Sequence, residues 1–168
     1  IQHMDKTRGR ELSGKTIYTV RGAIYFNRKD YQRAISDFSQ SIQFDPNDAN
    51  PYLNRAQAYY SIQEVDKAFA DYDQSIRLNP NNATAYIGRG IIYGSKTQYD
   101  RALVDINKAV SLDPQSASAY YVRAMLYNDA GLYESALDDF SHAILLDPTN
   151  ADMRDKRGQL YNILGQLD

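Results

Sequence analysis

Four similar phrases, FDPND, LNPNN, LDPQS and LDPTN, place prolines at Pro46, Pro80, Pro114 and Pro148, a step of 34 residues each time. A chain that repeats at this interval builds its fold from one unit used again and again, each unit burying its apolar face on its neighbours. Counting back from the prolines, position 4 of the unit is Tyr18, Tyr52, Tyr86 and Tyr120, and position 11 is Tyr25, Tyr59, Tyr93, Tyr127 and Tyr161. Position 8 is Gly22, Ala56, Gly90, Ala124 and Gly158. Position 20 is Ala34, Ala68, Ala102 and Ala136, and position 24 is Phe38, Tyr72, Ile106 and Phe140.

Positions 4, 8 and 11 follow the i, i+4, i+7 spacing of one helical stripe, and positions 20, 24 and 27 do the same for a second helix. Each unit is therefore a helix pair. Small residues at 8, 20 and 27 let the helix axes approach, and large side chains at 4, 11 and 24 are expected to fill the space between them. The Asp-Pro or Asn-Pro step disfavours helix before each proline, and the Asn, Asp and Ser that follow suit the N-cap of the next helix.

This pattern resembles the tetratricopeptide repeat, with an aromatic at 4, a small residue at 8, an aromatic at 11, Ala at 20, an aromatic at 24 and Pro at 32. The departures are Tyr for the usual Trp at position 4, Arg at position 7 where an aliphatic is common, and Ile106 for an aromatic. The resemblance implies an all-α fold, a right-handed α-solenoid of antiparallel helix pairs forming a superhelix. The units are residues 15–48, 49–82, 83–116 and 117–150, with 151–168 as a partial repeat or capping helix. Residues 1–14 fall outside the repeat phase: Ile1 to Met4 read as a tag remnant, and the polar DKTRGRELSG as a linker or frayed lead-in. The final Gly165 to Asp168 resembles the family's inter-helix turn, consistent with a natural cap or a piece of a longer chain.

Composition narrows the function classes. Nineteen basic against 21 acidic residues give a net charge of −2, so no positive field gathers nucleic acid or an anionic membrane. Apolar runs are a few residues long, far short of the roughly 20 that cross a bilayer. With no cysteine there is no disulfide, thiolate metal site or cysteine nucleophile, and the compartment stays open. Outside the tag-like start the one histidine is His142, on a second helix, and it is assigned no role. Asp138 points about 100° away from Asp139, and Asp152 with Asp155 reads as a helix-start pair suited to the dipole. No catalytic residue, metal site or cofactor is predicted.

The resemblance implies that the first helices line a concave surface that binds partners. Turning about 100° per residue, positions 2, 5, 9 and 12 face away from the predicted core stripe. The partner-binding candidates are Phe26, Leu53, Asn54, Gln57, Tyr60, Ile87, Ile91, Tyr121, Met125 and Asn128. A bound peptide or helix would set apolar side chains against this strip, with Asn54 and Gln57 serving its backbone. Gly88 and Gly94 are expected to leave a depression beside Ile87 and Ile91. All of the 15 tyrosines except Tyr60 and Tyr121 fall on positions 4, 11, 17 or 24 and are read as structural. Chaperone-type members hold a C-terminal carboxylate with a basic and amide set; here those positions carry Thr19, Ala23, Asn54, Thr84 and Gly88, so that clamp is not expected.

A second periodic feature is ionic. Arg21, Arg55, Arg89, Arg123 and Arg157 stand at position 7, and Asp37, Asp71, Asp105 and Asp139 at position 23. Position 7 lies beside the core stripe, which predicts structural Arg–Asp pairs at helix–helix seams rather than a basic ladder for an acidic ligand. The chain thus reads as a scaffold or adaptor for a protein or peptide partner, self-association included. The alternative is an interaction or oligomerisation module of a larger enzyme or of a secretion or assembly machine.

Overall fold

The computed structural model describes the backbone of residues 2–165 and the side chains of residues 14–165. The regular elements among the described residues are helices, in two compact units. The first unit, residues 1–81, holds α1 (Gln2–Asn27), α2 (Tyr31–Phe44), α3 (Ala49–Ser61) and α4 (Val65–Leu78). The second, residues 82–168, holds α5 (Ala83–Ser95), α6 (Tyr99–Leu112), α7 (Ala117–Asp129), α8 (Tyr133–Leu146) and α9 (Ala151–Leu164). Within them α1 packs on α2, α3 on α4, α5 on α6 and α7 on α8, while α2–α3, α6–α7 and α8–α9 join one pair to the next. The fold class is the all-α helical solenoid of repeats.

Local chemistry sets both ends of these helices. Asp48, Asn82 and Asn150, two residues after their prolines, accept hydrogen bonds from the backbone amides of Asn50, Thr84 and Asp152 at 3.0–3.1 Å, and Ser116 accepts from Ala119 at 3.3 Å. Each first helix stops where position 15 turns left-handed, at Lys29 (φ 61°), Gln63 (64°), Thr97 (56°) and Gly131 (75°). This turn lets the amides of Asp30, Glu64, Gln98 and Leu132 reach back to the carbonyls of Tyr25, Tyr59, Tyr93 and Tyr127 at 2.8–2.9 Å. The second helix begins two residues after the left-handed position and must run back along the first.

Two sequence expectations are corrected. The lead-in read as a linker is helical, because α1 runs from Gln2 to Asn27 without a break. Lys6, Arg8, Arg10, Glu11 and Leu12 are good helix formers, and Gly9 and Gly14 cost only about 1 kcal/mol each relative to alanine. Residue 1 and the proposed turn at 166–168 lie outside the described residues.

The core stripe of the first helices is also shifted. The buried positions shared by these helices are 3, 8 and 10, seen as Pro51, Ala56 and Ala58 in α3 and as Ala119, Ala124 and Leu126 in α7. The tyrosines at 4 and 11 are only half-buried in the complete repeats. They flank the arginine at position 7: the Arg123 guanidinium lies 5.4 Å from the Tyr120 ring centre and 5.9 Å from that of Tyr127. Leu126 joins Ala102 and Ile106 in one core cluster, and Leu160 joins Ala124, Ala136 and Phe140 in another. Position 10 therefore serves the preceding repeat's core, so a pattern read within one unit does not reveal it. Gly22 and Gly90 allow a closer approach than alanine would without a shift of the neighbouring side chain, since a Cβ would sit 2.7 Å from a Phe38 ring carbon and 2.6 Å from Ile106 Cδ1.

Candidate functional site

The Arg–Asp series closes in every complete repeat with the same two-pronged geometry. Nε and one Nη of Arg21, Arg55, Arg89 and Arg123 donate to both carboxylate oxygens of Asp37, Asp71, Asp105 and Asp139, at 2.6–2.8 Å. These bonds tie first helix to second helix within one repeat. The remaining nitrogen reaches the previous repeat: Nη1 of Arg55 donates to Ser39 Oγ at 2.9 Å, and Nη1 of Arg123 to Asn107 Oδ1 at 2.8 Å. Among the described residues, Arg157 makes this last kind of bond and no aspartate pair, from Nη1 to Ser141 Oγ at 3.2 Å. The series thus acts on the repeat seams.

The candidate groove residues divide between the units. In the first unit Phe26, Asn54 and Gln57 line a cavity of about 220 Å³ with Ala23, Asn27 and Phe38. Leu53 and Tyr60 are half-buried on α3 and do not line it. The Phe26 ring meets Tyr31 edge-on with centres 5.5 Å apart, which fixes one wall.

In the second unit Ile91, Tyr121 and Met125 come together around a cavity of about 330 Å³, with Gly94, Ser95, Val122, Leu126 and Asp129 completing its lining. Gly94 lines the space, where a Cβ would lie 2.6 Å from Leu126 Cδ2, while Gly88, the other glycine expected to open a depression, is not among its lining residues. Ile87 instead packs against the Ala102–Ile106–Leu126 cluster. Asn128 lines a neighbouring cavity of about 210 Å³, between α7 and α9, with Met125, Asp129, Lys156 and Ile163 among its walls. Asn27 and Asp129, at position 13, were not among the candidates. They follow position 9 by one helical turn, so the same 100° rule would have found them.

Tyr121 is held from two sides. Its ring tilts against Phe140 at 5.9 Å, and its hydroxyl donates to the Asp152 carboxylate. Asp152, read from sequence as a dipole partner of the helix start, takes this hydroxyl as well. Burial, aided by the Asp152 hydrogen bond and charge, pushes the Tyr121 phenol up to about 12. In the first unit, Lys15 Nζ bridges Asp45 at 2.8 Å and Asp48 at 2.6 Å, a clamp from α1 to the α2–α3 turn that no periodic position announced. These hydrogen bonds raise the Lys15 ammonium and, with the Asn47 amide, lower the Asp45 carboxyl. His142 is exposed and stacks on Tyr120 at 5.3 Å.

A further concavity of about 490 Å³ is lined by Thr97 to Arg101, the α5–α6 turn and the start of α6. Among the described residues no three His, Asp or Glu cluster as metal ligands, and no helix is long and apolar enough to cross a membrane.

Comparison with known proteins agrees with this architecture. Tetratricopeptide repeat patterns match residues 22–89, 83–116 and 117–150. No curated protein matches. Among solved structures, MamA 41-end from Desulfovibrio magneticus RS-1 is 21% identical with a TM-score of 0.78, over 91% of this chain and 86% of that one. Pseudomonas aeruginosa pilF is 15% identical with a TM-score of 0.84, over 93% and 71%. The first repeat domain of Spaghetti (RPAP3), bound to the HSP90 peptide SRMEEVD, is 21% identical with a TM-score of 0.67, over 72% and 96%. At these identities the likeness is one of fold.

Proposed function

This chain belongs to the tetratricopeptide repeat family and is a protein-interaction repeat module; from that premise we propose that it is a scaffold whose first helices hold a peptide or helical segment of a partner. The observation that carries this reading is the cavity between α5 and α7. Ile91, Tyr121, Val122, Met125 and Leu126 make its apolar wall, Gly94 provides its depth, and Asp129 adds a carboxylate. Such a site suits one large apolar side chain as an anchor, with Asp129 accepting from polar groups beside it. The smaller cavity of the first unit adds Asn54 and Gln57, whose amides serve an extended backbone. That a repeat domain of this fold is seen with an HSP90 peptide supports peptide capture as a mode of use. Of the residues that would hold a terminal carboxylate, the basic ones are replaced here by Thr19, Thr84 and Gly88 and one amide by Ala23, which favours apolar anchoring instead.

The test is selection of short random peptides on the full chain, followed by titration of the selected peptides into Ile91→Glu and Met125→Glu proteins that retain their helical circular dichroism. We expect a shared large apolar residue in the selected peptides and a loss of about tenfold or more in affinity for each variant. Equal affinity for wild type and both variants would remove the cavity from the binding surface.

A further inference from the structure

The cavities of the candidate site are one socket repeated along the chain. Between α1 and α3 it is lined by Ala23, Phe26 and Asn27 at positions 9, 12 and 13 of one repeat, and by Asn54 and Gln57 at positions 6 and 9 of the next. Between α5 and α7 the same positions supply Ile91, Gly94 and Ser95, then Val122 and Met125. Between α7 and α9 they supply Met125, Asn128 and Asp129, then Lys156 and Gln159. Within this shared frame position 6 changes chemistry from socket to socket: an amide in Asn54, a branched aliphatic in Val122 and an ammonium in Lys156.

The two sockets of the second unit adjoin, because Met125 and Asp129 line both. In the α7–α9 socket Lys156 is half-buried, makes no ion pair among the described residues, and shares the lining with the amides of Asn128 and Gln159. Asp129 is exposed, and its carboxylate accepts from Asn128 Nδ2 at 3.4 Å. Asp152 is engaged by the Tyr121 hydroxyl, and neither it nor Asp155 lines the socket. An anionic side chain entering here therefore meets a partly desolvated cation and two amide donors, while the one carboxylate of the lining stays in water.

Resting on the cavity reading above, we propose that position 6 selects the side chain each socket takes. In the second unit the paired sockets then bind an extended segment with a large apolar residue and, three residues later, an acidic residue held by Lys156. The spacing follows from the step between sockets, which is that between neighbouring first helices, about 8–10 Å for helices in contact such as α5 and α7. A polyproline II strand advances about 9 Å in three residues and returns to the same side. Its backbone groups are unpaired, and Ser95, Asn128 and Asp129 stand in the two linings to serve them, whereas a helix arrives with its backbone already satisfied.

The test titrates the full chain, by fluorescence anisotropy, with three labelled proline-rich peptides that carry phenylalanine and, three residues later, glutamate, glutamine or lysine. The glutamate peptide should bind tightest, about tenfold above the lysine peptide. Lys156→Gln should remove the preference for glutamate over glutamine, and Lys156→Glu should reverse the order in favour of lysine, both with unchanged helical circular dichroism. Val122→Lys should admit a peptide with glutamate in place of the phenylalanine, which the wild type rejects. The same order in wild type and Lys156→Glu, tightest binding by the lysine peptide, or Val122→Lys without its gain would overturn the proposal. So would tighter binding of a helical peptide with phenylalanine and glutamate seven residues apart, about 10 Å along its axis. Binding that Ile91→Glu abolishes, but that does not discriminate among the three peptides, would overturn this inference alone and leave the cavity as the site. Binding by none of them, or binding indifferent to Ile91→Glu, would overturn both readings.

Discussion

Ile24 and Leu126 hold the same place, position 10, in the 34-residue unit, and the two surroundings differ. Leu126 is 5% exposed and sits with Ala102 and Ile106 from the preceding repeat's second helix; Ile24, in the first repeat, is 46% exposed. The Arg–Asp pairs differ in the same way. The Arg21 side chain is 50% exposed and that of Arg123 18%, although their bond lengths are nearly equal. A position in a repeat therefore has no fixed energetic weight; the neighbouring repeat confers it.

The largest effect should come from breaking that neighbour contact. Leu126→Ala removes a buried side chain from a closed cluster and should cost roughly 3 kcal/mol, within the range for such truncations, read from denaturant midpoints at constant slope. Ile24→Ala should change stability by less than about 0.5 kcal/mol. Equal losses would mean that the two sites are covered alike.

Next come the ion pairs. Asp139→Ala leaves Arg123 at a seam without its carboxylate and should cost roughly 2 kcal/mol, below the value for a fully buried pair because the guanidinium retains some water. Asp37→Ala should cost measurably less in the same thermal or chemical unfolding experiment, since Arg21 faces solvent. Double-mutant cycles at each pair would sharpen the contrast by isolating the coupling from the loss of packing.

How much of this was legible in the sequence follows from the same distinction. The helix pairs, the caps at Asp48, Asn82, Ser116 and Asn150, and the alignment of Arg with Asp are intra-repeat features, and a 34-residue period exposes them directly. Position 10 was missed because its partners lie on the preceding repeat, where amphipathic periodicity within one helix gives no weight to Ala58 or Leu126. The placing of Tyr121 over Phe140 and of Ile87 in a core cluster likewise depends on neighbouring helices. The left-handed residues at position 15 were hidden because only Gly131 announces such a turn.

That last difference makes a smaller prediction. Thr97 is β-branched and holds φ at 56°, where Gly131 holds 75° without a Cβ. Thr97→Gly should stabilise the α5–α6 turn by about 1 kcal/mol, and Gly131→Ala should destabilise the α7–α8 turn by a similar amount. Thermal unfolding of both variants reads the two signs, and a loss of stability in Thr97→Gly would show that the threonine side chain contributes more than its backbone costs.

The smallest effect is again one that a following repeat confers. Tyr121 is on α7, yet its hydroxyl donates to Asp152 on α9, and its phenol is pushed from an ordinary value near 10 up to about 12, chiefly by burial. A folded-state value raised above the unfolded one means that the contribution to stability is complete below pH of about 10 and is lost as the pH climbs through about 12. Phenolate absorbance of wild type and Tyr121→Phe should coincide up to a pH of about 11 and separate only above it. Asp152→Asn should bring the separation to lower pH while leaving it above 10, because burial persists when the carboxylate is gone. Separation already complete at a pH of about 10 in the wild type would show that Tyr121 is solvated, and that α9 does not close over α7 at this point.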